Sequence, residues 1–407
     1  MSQYTILHRY NLIKINPSPE IWLKSMKVRM RMVKILMNNI KQSLTQQEIP
    51  YHKYQLTADS TRILFFFDNE NLQKAMKALE KVFGIESFSP ALRTSNKLEK
   101  IIQRTLEVGN KILQINDTFA IRVKRSGRHD YTSQDVAKKS GQAVLENFSG
   151  LNLKVNLSNP IKTIFIEIRG DFSYIFTDII KSRWVGLPIE RNKKIMCMDI
   201  GRLNDMIAGF LIMRRGCDIY PVLFKLTNNT TSLEKWLSNW KEIAKYNHNL
   251  RFTIRIFNLV PLIEYIKENL NNKKYVCSIC RIIRFELLSR LLKESQIKDL
   301  ERIEAFSDGI SLNNNTFCFD EIDLESISVN YFFSNIPIFT PLVGLENNDV
   351  SQIISDISDN LKRIDYCIFK PKDQEFERQN LKKLYNSLNL KNLIMDALKN
   401  QVVINIT

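Results

Sequence analysis

The sequence predicts an α/β protein of several domains, and three observations support this prediction. The chain has 407 residues, 44% of them hydrophobic, which is enough for two or three cores. Residues 1 to about 90 follow a strand–helix–strand–helix order, which is typical of a small ferredoxin-like unit. From about residue 195, strands alternate with helices, which predicts a doubly wound parallel sheet.

Apolar periodicity predicts the individual elements of the first half. Alternating apolar residues indicate strands, and apolar residues at a three–four spacing indicate helices. A helix at 133–147 is expected to be capped by Thr132 or Ser133. The predicted strands are 4–15, 60–67, 119–123, 163–169 and 174–177, and the predicted helices are 20–40, 69–82, 94–115 and 133–147.

The second half follows a polar, basic segment at 181–194, which contains Gly186 and Pro188 and is predicted to be a linker. Beyond it, apolar runs at 195–199, 218–226 and 251–260 predict strands, and 205–215 and 232–247 predict helices. The predicted domains are therefore residues 1–92, 93–180 and 195–407, with the linker between the second and the third.

The charge favours a polyanionic partner. The chain has 59 Lys and Arg against 43 Asp and Glu, a formal net charge of +16. A basic surface that serves only solubility is the alternative. No apolar run is long enough to cross a bilayer, and the N-terminus lacks the apolar core of a signal peptide. We therefore expect a soluble, cytoplasmic protein without a membrane partner.

Six cysteines in a chain of this length do not form a disulfide scaffold. Cys277 and Cys280 form a CxxC, and the other four are scattered. In a reducing compartment this spacing indicates metal, cluster or redox chemistry rather than a structural bridge.

Several segments, in order from about residue 4 to residue 373, resemble the tRNA 4-thiouridine synthetases, which are tRNA sulfurtransferases. The resemblance implies a ferredoxin-like domain over 1–92, a THUMP-like RNA-binding domain over 93–180 and a pyrophosphatase-type (PP-loop) nucleotide domain over 195–407. It is closest to the archaeal-type branch, without a rhodanese extension. The segments that carry it are VFGIESFSPA at 82–91, residues 119–125, TSQD at 132–135, IEIRGD at 166–171, GLP at 186–188, AGFLIMRRG at 208–216 and IPIFTPLVG at 336–344.

Basic residues near the middle of the chain are the predicted RNA-binding surface. Arg122 and Lys124 share one face of a strand, and a turn loosened by Gly127 follows them. Such a cluster can neutralise several phosphates. The resemblance implies that the clustered segments come together and that the RNA is tRNA. Tyr131 and Trp184 are candidates for stacking on bases, with core packing as the alternative. The predicted RNA-binding residues are Arg122, Lys124, Arg125, Arg128, Arg169, Lys181 and Arg183.

The nucleotide loop departs from the family pattern Ser-Gly-Gly-x-Asp-Ser. The equivalent segment here is IGRLND at 200–205, which retains Gly201 but carries Ile200, Arg202 and Asn204 at changed positions. Asp205 places a negative charge where phosphates would lie, and we interpret it as the N-cap of the next helix. A second nucleotide signature is also altered, at 306–311. Gly201 and Asp205 thus belong to a degenerate ATP loop, and ATP-driven activation is not expected.

The cysteines match the family more closely than the loop does. Cys367 lies in DYCIFKP at 365–371, which resembles the segment that bears the family's sulfur-carrying cysteine. In the archaeal-type branch Cys277, Cys280 and Cys367 resemble ligands of an iron–sulfur cluster, and thiolates suit iron. Neighbouring Arg281 would favour the thiolates. The alternatives are a buried turn with inert thiols or an incomplete zinc site.

Two classes of function remain open. The chain is either a tRNA sulfurtransferase, which needs a sulfur donor and works through Cys367, or a non-catalytic THUMP-containing tRNA-binding paralogue. In the second class the nucleotide domain would serve to form a homodimer or to dock a separate active enzyme.

Overall fold

The computed structural model describes residues 10–249, 251–294, 300, 302–312, 331, 334–364, 367–371 and 377–406. The chain forms two compact units, divided between Pro188 and Ile189. Within those residues no helix is both long and apolar enough to span a membrane.

The first unit contains nine strands and five helices within the described residues. The strands are β1 (Leu12–Pro17), β2 (Lys53–Leu56), β3 (Ile63–Phe66), β4 (Ile85–Ser95), β5 (Thr118–Ser126), β6 (Lys154–Val155), β7 (Lys162–Arg169), β8 (Phe172–Phe176) and β9 (Ile180–Lys181). The helices are α1 (Pro19–Trp22), α2 (Met26–Gln46), α3 (Leu72–Leu79), α4 (Leu98–Ile112) and α5 (Ser133–Asn147).

The N-terminal part of this unit is ferredoxin-like, as the sequence predicts. Its strands are ordered β2-β3-β1-β4 and are antiparallel, with α2 and α3 in the two crossovers. The predicted strand at 4–15 is described only from residue 10 onward. The predicted strand at 60–67 is shorter than expected, because Ser60 has a positive φ and closes a turn, and β2 was not predicted.

The same sheet continues into the second part of the unit as β4-β8-β7-β5-β6, with β9 paired to β4. Strand β4 therefore belongs to both parts: it pairs with β1 along most of its length and with β8 from Leu92 to Ser95. The boundary predicted between residues 92 and 93 falls inside this strand. Helix α4 consequently begins at Leu98 rather than at residue 94. Helix α5 begins at Ser133 and is capped by Thr132, one of the two predicted caps, and Asp135 completes a capping box.

The two faces of this sheet differ in composition. One face packs with α2 to α5 into the main core, which includes Ile13, Ile121 and Ile166. Side chains alternate along a strand, so the neighbours of these residues point to the opposite face. There a small apolar cluster, with Leu12 and Phe176 among its members, lies beside charged side chains.

The second unit contains six strands and seven helices within the described residues. The strands are β10 (Leu187–Asp199), β11 (Arg215–Lys225), β12 (Thr253–Asn258), β13 (Ile303–Ser307), β14 (Ile338–Phe339) and β15 (Val402–Asn405). The helices are α6 (Leu203–Arg214), α7 (Thr230–Ala244), α8 (Val260–Asn269), α9 (Val276–Glu294), α10 (Asn347–Ile357), α11 (Arg378–Ser387) and α12 (Lys391–Lys399).

These strands form a sheet of order β14-β13-β10-β11-β12-β15. The pairs β10–β13, β13–β14 and β11–β12 are parallel, which confirms the predicted doubly wound class, and the edge strand β15 is antiparallel. The linker prediction for 181–194 is wrong from Leu187 onward, because β10 begins there and its first residues are largely buried. Their charged side chains are paired, for example Arg191 with Asp218 at 3.2 Å.

Candidate functional site

A cavity of about 530 Å³ lies on the face of the first sheet opposite its helices, and we call it the basic groove. Alternation places side chains from β1, β5, β7 and β8 on this face. The residues that define it here are Lys14, Arg62, Arg122, Lys124, Phe165, Glu167 and Phe176.

Glu167 is the anionic centre of the basic groove, and its side chain is 3% exposed. It forms an ion pair with Lys14, and its Oε1 lies 2.9 Å from Arg62 Nε and 2.7 Å from Arg169 Nη2. Burial alone would raise the pKa of Glu167, but the charges of Lys14, Arg62 and Arg169 lower it to about 2. Glu167 is therefore ionised at neutral pH and holds three cations in fixed positions.

For Lys14 the effect of burial on the pKa outweighs the effect of the neighbouring charges, unlike for Glu167. Burial lowers the pKa of its ammonium group to about 8, although the charge of Glu167 acts in the other direction. Arg62 and Arg169 lower the pKa of Lys14 further. One cation of the groove therefore titrates close to physiological pH.

Two stacked phenylalanines form an aromatic part of the groove wall. The ring centroids of Phe165 and Phe176 are 5.3 Å apart, with an angle of 12° between the planes. Lys14 Nζ lies 4.2 Å from the Phe176 centroid. Cations beside aromatic faces suit a ligand that carries both phosphates and bases.

Arg122 and Lys124 are exposed at this groove, as the sequence analysis proposed for an RNA-binding surface. They lie on β5, opposite Phe165 and Glu167 of β7 in the strand register. Arg122 Nη2 donates a hydrogen bond to the backbone oxygen of Leu157 at 3.1 Å. This bond orients one guanidinium edge and leaves the side chain accessible to a ligand.

The other predicted RNA-binding residues do not line the groove. Arg125 donates to the oxygen of Gly127 at 2.9 Å, within its own turn. Arg169 is held by Glu167 and by Asp59, whose Oδ2 lies 2.7 Å from Arg169 Nη1. Lys181 lies on β9, which pairs with β4 and not with β5. The exposed residues of this set are Arg128, Lys181 and Arg183.

Tyr131 and Trp184 pack within the protein. The Tyr131 ring stacks on His129 with centroids 5.5 Å apart, and its hydroxyl donates to the oxygen of Asn96. Trp184 is buried. The packing interpretation of both residues is therefore the one that the structure supports.

Lys14, Arg62 and Phe165 were missed by the sequence analysis. The available signal for Lys14 was a single lysine inside an otherwise apolar strand, Leu12–Ile15. A lysine flanked by buried isoleucines must point away from the core face or be paired. Its partner Glu167 is 153 residues away and could not be assigned from sequence.

The loop between β10 and α6 is the second candidate site. Helix α6 begins at Leu203 after Arg202, which makes no side-chain capping bond. The prediction that Asp205 is the N-cap is therefore wrong: Asp205 occupies the third helical position. Its carboxylate instead reaches back into the loop, because the backbone N–H groups there need acceptors.

The Asp205 carboxylate is surrounded by donors. Its Oδ2 accepts from the N–H of Ile200 at 3.0 Å and from Arg202 Nε at 3.1 Å. Its Oδ1 accepts from Arg202 Nη2 at 2.5 Å and from the N–H of Gly309 at 3.2 Å. The N–H of Gly201, in the same loop, donates to Asp199 Oδ1 at 2.5 Å.

The two altered nucleotide segments meet at this point. Arg202 Nη2 lies 3.3 Å from Asp308 Oδ1, and Arg281 Nη2 lies 2.5 Å from Asp308 Oδ2. Asp205 and Asp308 are fully buried, and the two arginines are nearly so. The sequence analysis identified both segments but not the ion pairs that join them.

Asp199 closes the other side of the loop. Burial, followed by the charge of Asp205, raises its pKa, although three hydrogen-bond donors act in the other direction. These donors are the N–H of Gly201 and the indole nitrogens of Trp236 and Trp240, each 2.6 Å from Oδ2. The N–H groups of Ile200, Gly201 and Gly309 and the guanidinium of Arg202 are thus engaged by the carboxyl groups of Asp199 and Asp205, so the loop as arranged does not fit ATP.

The three predicted cluster cysteines lie in the second unit. Cys277 and Cys280 are buried in the first turn of α9, and Cys367 is half-buried; Asp365 and Tyr366 lie outside the described residues. Among the described residues, no three His, Cys, Asp or Glu side chains are grouped to hold a metal ion. Helix α9 is buried on nearly all sides from Val276 to Ser289.

Three family models match the chain in order. The ThiI ferredoxin-like domain matches residues 12–89, the THUMP domain matches 95–178, and the model described as thiamine biosynthesis protein (ThiI) matches 192–389. These ranges agree with the predicted order of domains.

Curated relatives match over most of their length. A probable tRNA sulfurtransferase of Thermococcus kodakarensis is 29% identical over 83% of this chain and 85% of the relative. One of Methanocaldococcus jannaschii is 29% identical over 88% of each chain. Among solved structures, a 4-thiouridine synthetase–RNA complex with bound ATP has a TM-score of 0.79 at 22% identity, covering 98% of this chain and all of that one. A protein of Pyrococcus horikoshii has a TM-score of 0.64 at 23% identity, covering 85% of this chain and 99% of that one. The structural likenesses show the shared fold.

Proposed function

The chain belongs to the ThiI family, and from this premise we propose that it binds tRNA in the basic groove and takes part in transferring sulfur to a tRNA uridine. The relatives named as probable tRNA sulfurtransferases support the reaction class. The observation that carries the RNA-binding part is the basic groove itself.

The groove has the chemistry that a single-stranded or unpaired stretch of RNA needs. Arg122 and Lys124 offer exposed cations for phosphates, and the Phe165–Phe176 pair offers an aromatic surface beside them. Bases stack on aromatic rings, and phosphate binding releases counterions. A net charge of +16 adds long-range attraction to a polyanion.

Cys367 is the proposed sulfur carrier. Its side chain is half-buried in a segment that follows α10, and Lys370 nearby is exposed. A thiol at a partly open position can be loaded by a sulfur donor and can then approach a substrate. By contrast, burial raises the pKa of Cys197 to about 12, so that thiol is inert. The proposal therefore requires a separate sulfur donor as a partner.

The iron–sulfur cluster on Cys277, Cys280 and Cys367, and a homodimer, stay predictions from the sequence. No step of the proposed reaction is routed through a cluster or through ATP. The chain's own contribution is to hold the tRNA and to present a thiol.

Charge reversal at the groove tests the RNA-binding part. Arg122→Glu together with Lys124→Glu should weaken tRNA binding by about tenfold or more at moderate salt. The salt slope should fall by about one for each phosphate that the variant no longer neutralises. Affinity is measured by filter binding or fluorescence anisotropy over a salt series.

Lys138→Glu together with Lys139→Glu is the matched control. These lysines are exposed on α5, which packs on the opposite face of the same sheet, so the net charge changes equally. If both double variants lose the same affinity, the groove is not the binding site. Thiolated uridine in tRNA, quantified with wild-type chain and with Cys367→Ser, tests the second part. tRNA binding without thiolation would favour the non-catalytic paralogue.

A further inference from the structure

The junction of β10 and α6 has the form of an anion-binding cradle. It follows the carboxyl end of a strand in a largely parallel sheet and leads into a helix of 12 residues. Backbone N–H groups at such a junction, together with the helix dipole, favour a negative charge. The donors that converge here are the N–H groups of Ile200 and Gly309 and the guanidinium group of Arg202.

All three donors point at one carboxylate, that of Asp205, over distances of 2.5 to 3.2 Å. Two oxygens on one carbon thus occupy the place where two oxygens of a phosphate group would accept the same bonds. Asp205 is 1% exposed, so water does not weaken these interactions. The carboxylate is a full match for the cradle in charge and in hydrogen bonding.

We propose that Asp205 is an intramolecular anion that fills this cradle, and that the phosphates of ATP compete with it for the same donors. The inference concerns the altered nucleotide loop of the second unit and does not require that the chain binds tRNA. Asp205 thereby determines whether a polyphosphate can enter the second unit.

Displacing Asp205 is opposed by the surrounding structure. A Cβ placed on Gly309 would lie 2.4 Å from the Asp205 nitrogen, so the Gly309 backbone rests directly on the first turn of α6. Arg202 is also tied to Asp308, which in turn is paired with Arg281. A phosphate could enter only if a buried ion pair opened and two chain segments separated.

The neighbouring space is also small. A mostly apolar slot lined by Gly201, Phe224 and Trp236 has a volume of about 20 Å³. This is room for about one water molecule, whereas pockets for drug-sized ligands measure roughly 300–1,000 Å³. While Asp205 fills the cradle, the adjacent slot therefore offers little further space.

The test compares ATP binding by the wild-type full chain with binding by Asp205→Asn and Asp205→Ser. The first variant keeps the side-chain shape and removes the charge, and the second also shortens the side chain. We expect both to bind ATP at least tenfold more tightly than the wild type, which corresponds to about 1.4 kcal/mol. Titration calorimetry and the shift of Tm with ATP or inorganic pyrophosphate measure the effect.

Asp135→Asn is the matched control, because Asp135 is also the third residue of a helix but lies on α5 in the first unit. It should bind ATP as the wild type does. If the single Asp205 variants do not fold, as judged by circular dichroism, the paired variant Asp205→Asn/Asp308→Asn removes two carboxylates that face Arg202, keeps Arg202 as a donor and should show the same gain.

Two results would overturn the proposal. One is saturable micromolar binding of ATP by the wild type, whatever the variants do. The other is a folded Asp205 variant that binds ATP no more tightly than the wild type. tRNA affinity of the same proteins is measured in parallel, so a failure of RNA binding is recognised separately from a failure at the loop.

Discussion

The basic groove and the loop before α6 are both built around buried carboxylates that face arginines, yet they present opposite surfaces. Glu167 anchors Lys14, Arg62 and Arg169, while Arg122 and Lys124 remain exposed at a cavity of about 530 Å³. In the loop, the donors are hydrogen-bonded to the buried carboxylate of Asp205 and are not exposed to a ligand. A cluster of charges is therefore a binding site only where donors are left for a ligand.

The largest effect is expected from removing the anion of the groove. Glu167→Gln leaves Lys14, which is 2% exposed, beside Arg62 and Arg169 without the opposite charge. Breaking a buried ion pair on one side costs about 3–5 kcal/mol. The free energy of unfolding of the first unit, measured by urea denaturation, should fall by that amount.

Glu107→Gln provides the control for this comparison. Its partner Arg104 lies 2.7 Å away on α4, and both side chains are a quarter or more exposed. Exposed pairs contribute about 1 kcal/mol or less, so the loss should be small. Equal losses in the two variants would mean that Glu167 does not anchor the groove.

A smaller effect is expected from the aromatic wall. Phe165→Leu keeps an apolar side chain but removes the ring that stacks on Phe176. Loss of one base–aromatic stack costs about 1–3 kcal/mol, so tRNA affinity should fall by roughly fivefold or more with little change in the salt slope. Phe172→Leu, at an exposed ring on β8, should leave the affinity unchanged. An unchanged tRNA affinity of the Phe165 variant would mean that no base stacks on Phe165 and that the groove binds RNA through phosphate contacts.

The smallest effect is a dependence on pH. Burial lowers the pKa of Lys14 to about 8 in the folded protein, against a usual value of 10.5. Lys14 is therefore charged below pH 8, and as pH rises through 8 the groove loses one positive charge. We expect tRNA affinity to fall a fewfold between pH 7 and pH 9 relative to Lys14→Met, which has no group to titrate.

The titration of Lys14 should change stability in the opposite direction: as pH rises, tRNA affinity falls but the free energy of unfolding increases. Between pH 8 and about 10.5 the unfolded chain holds the Lys14 proton and the folded chain does not, so this group makes folding more favourable as pH rises. Glu167, with a pKa of about 2, contributes stability above its usual value near 4.5 that is lost as pH falls toward 2. A parallel pH profile for wild type and Lys14→Met would exclude Lys14 as the source.

The sequence predicted most of the fold because the signals are local. Apolar alternation marked β5 and β7, and the capping box of Thr132 marked the start of α5. The hairpin strand β2 was missed because KYQL is polar and half-exposed, so it carries no core pattern. The burial of helix α9 was not predicted, because its arginines interrupt the apolar run, and Arg281 is paired inside the protein with Asp308, 27 residues away.

The candidate sites were harder to predict because their partners are distant in sequence. Arg122 and Lys124 were found from the face of a single strand, but the groove also needs Lys14, which meets Glu167 only through the strand order β1-β4-β8-β7. The altered loop residues were recognised one by one. That Asp205 and Asp308 share Arg202 depends on how β10 and β13 pair.

Strand β4 has a mechanical consequence for the first unit. Its 11 residues are hydrogen-bonded to β1, to β8 and to β9, so the ferredoxin-like part and the THUMP part have no joint between them. The two parts should unfold together in a single cooperative transition, and they should not move relative to each other in the folded state. A fragment cut at residue 92 would end in the middle of this shared strand, so neither piece would be an independent module.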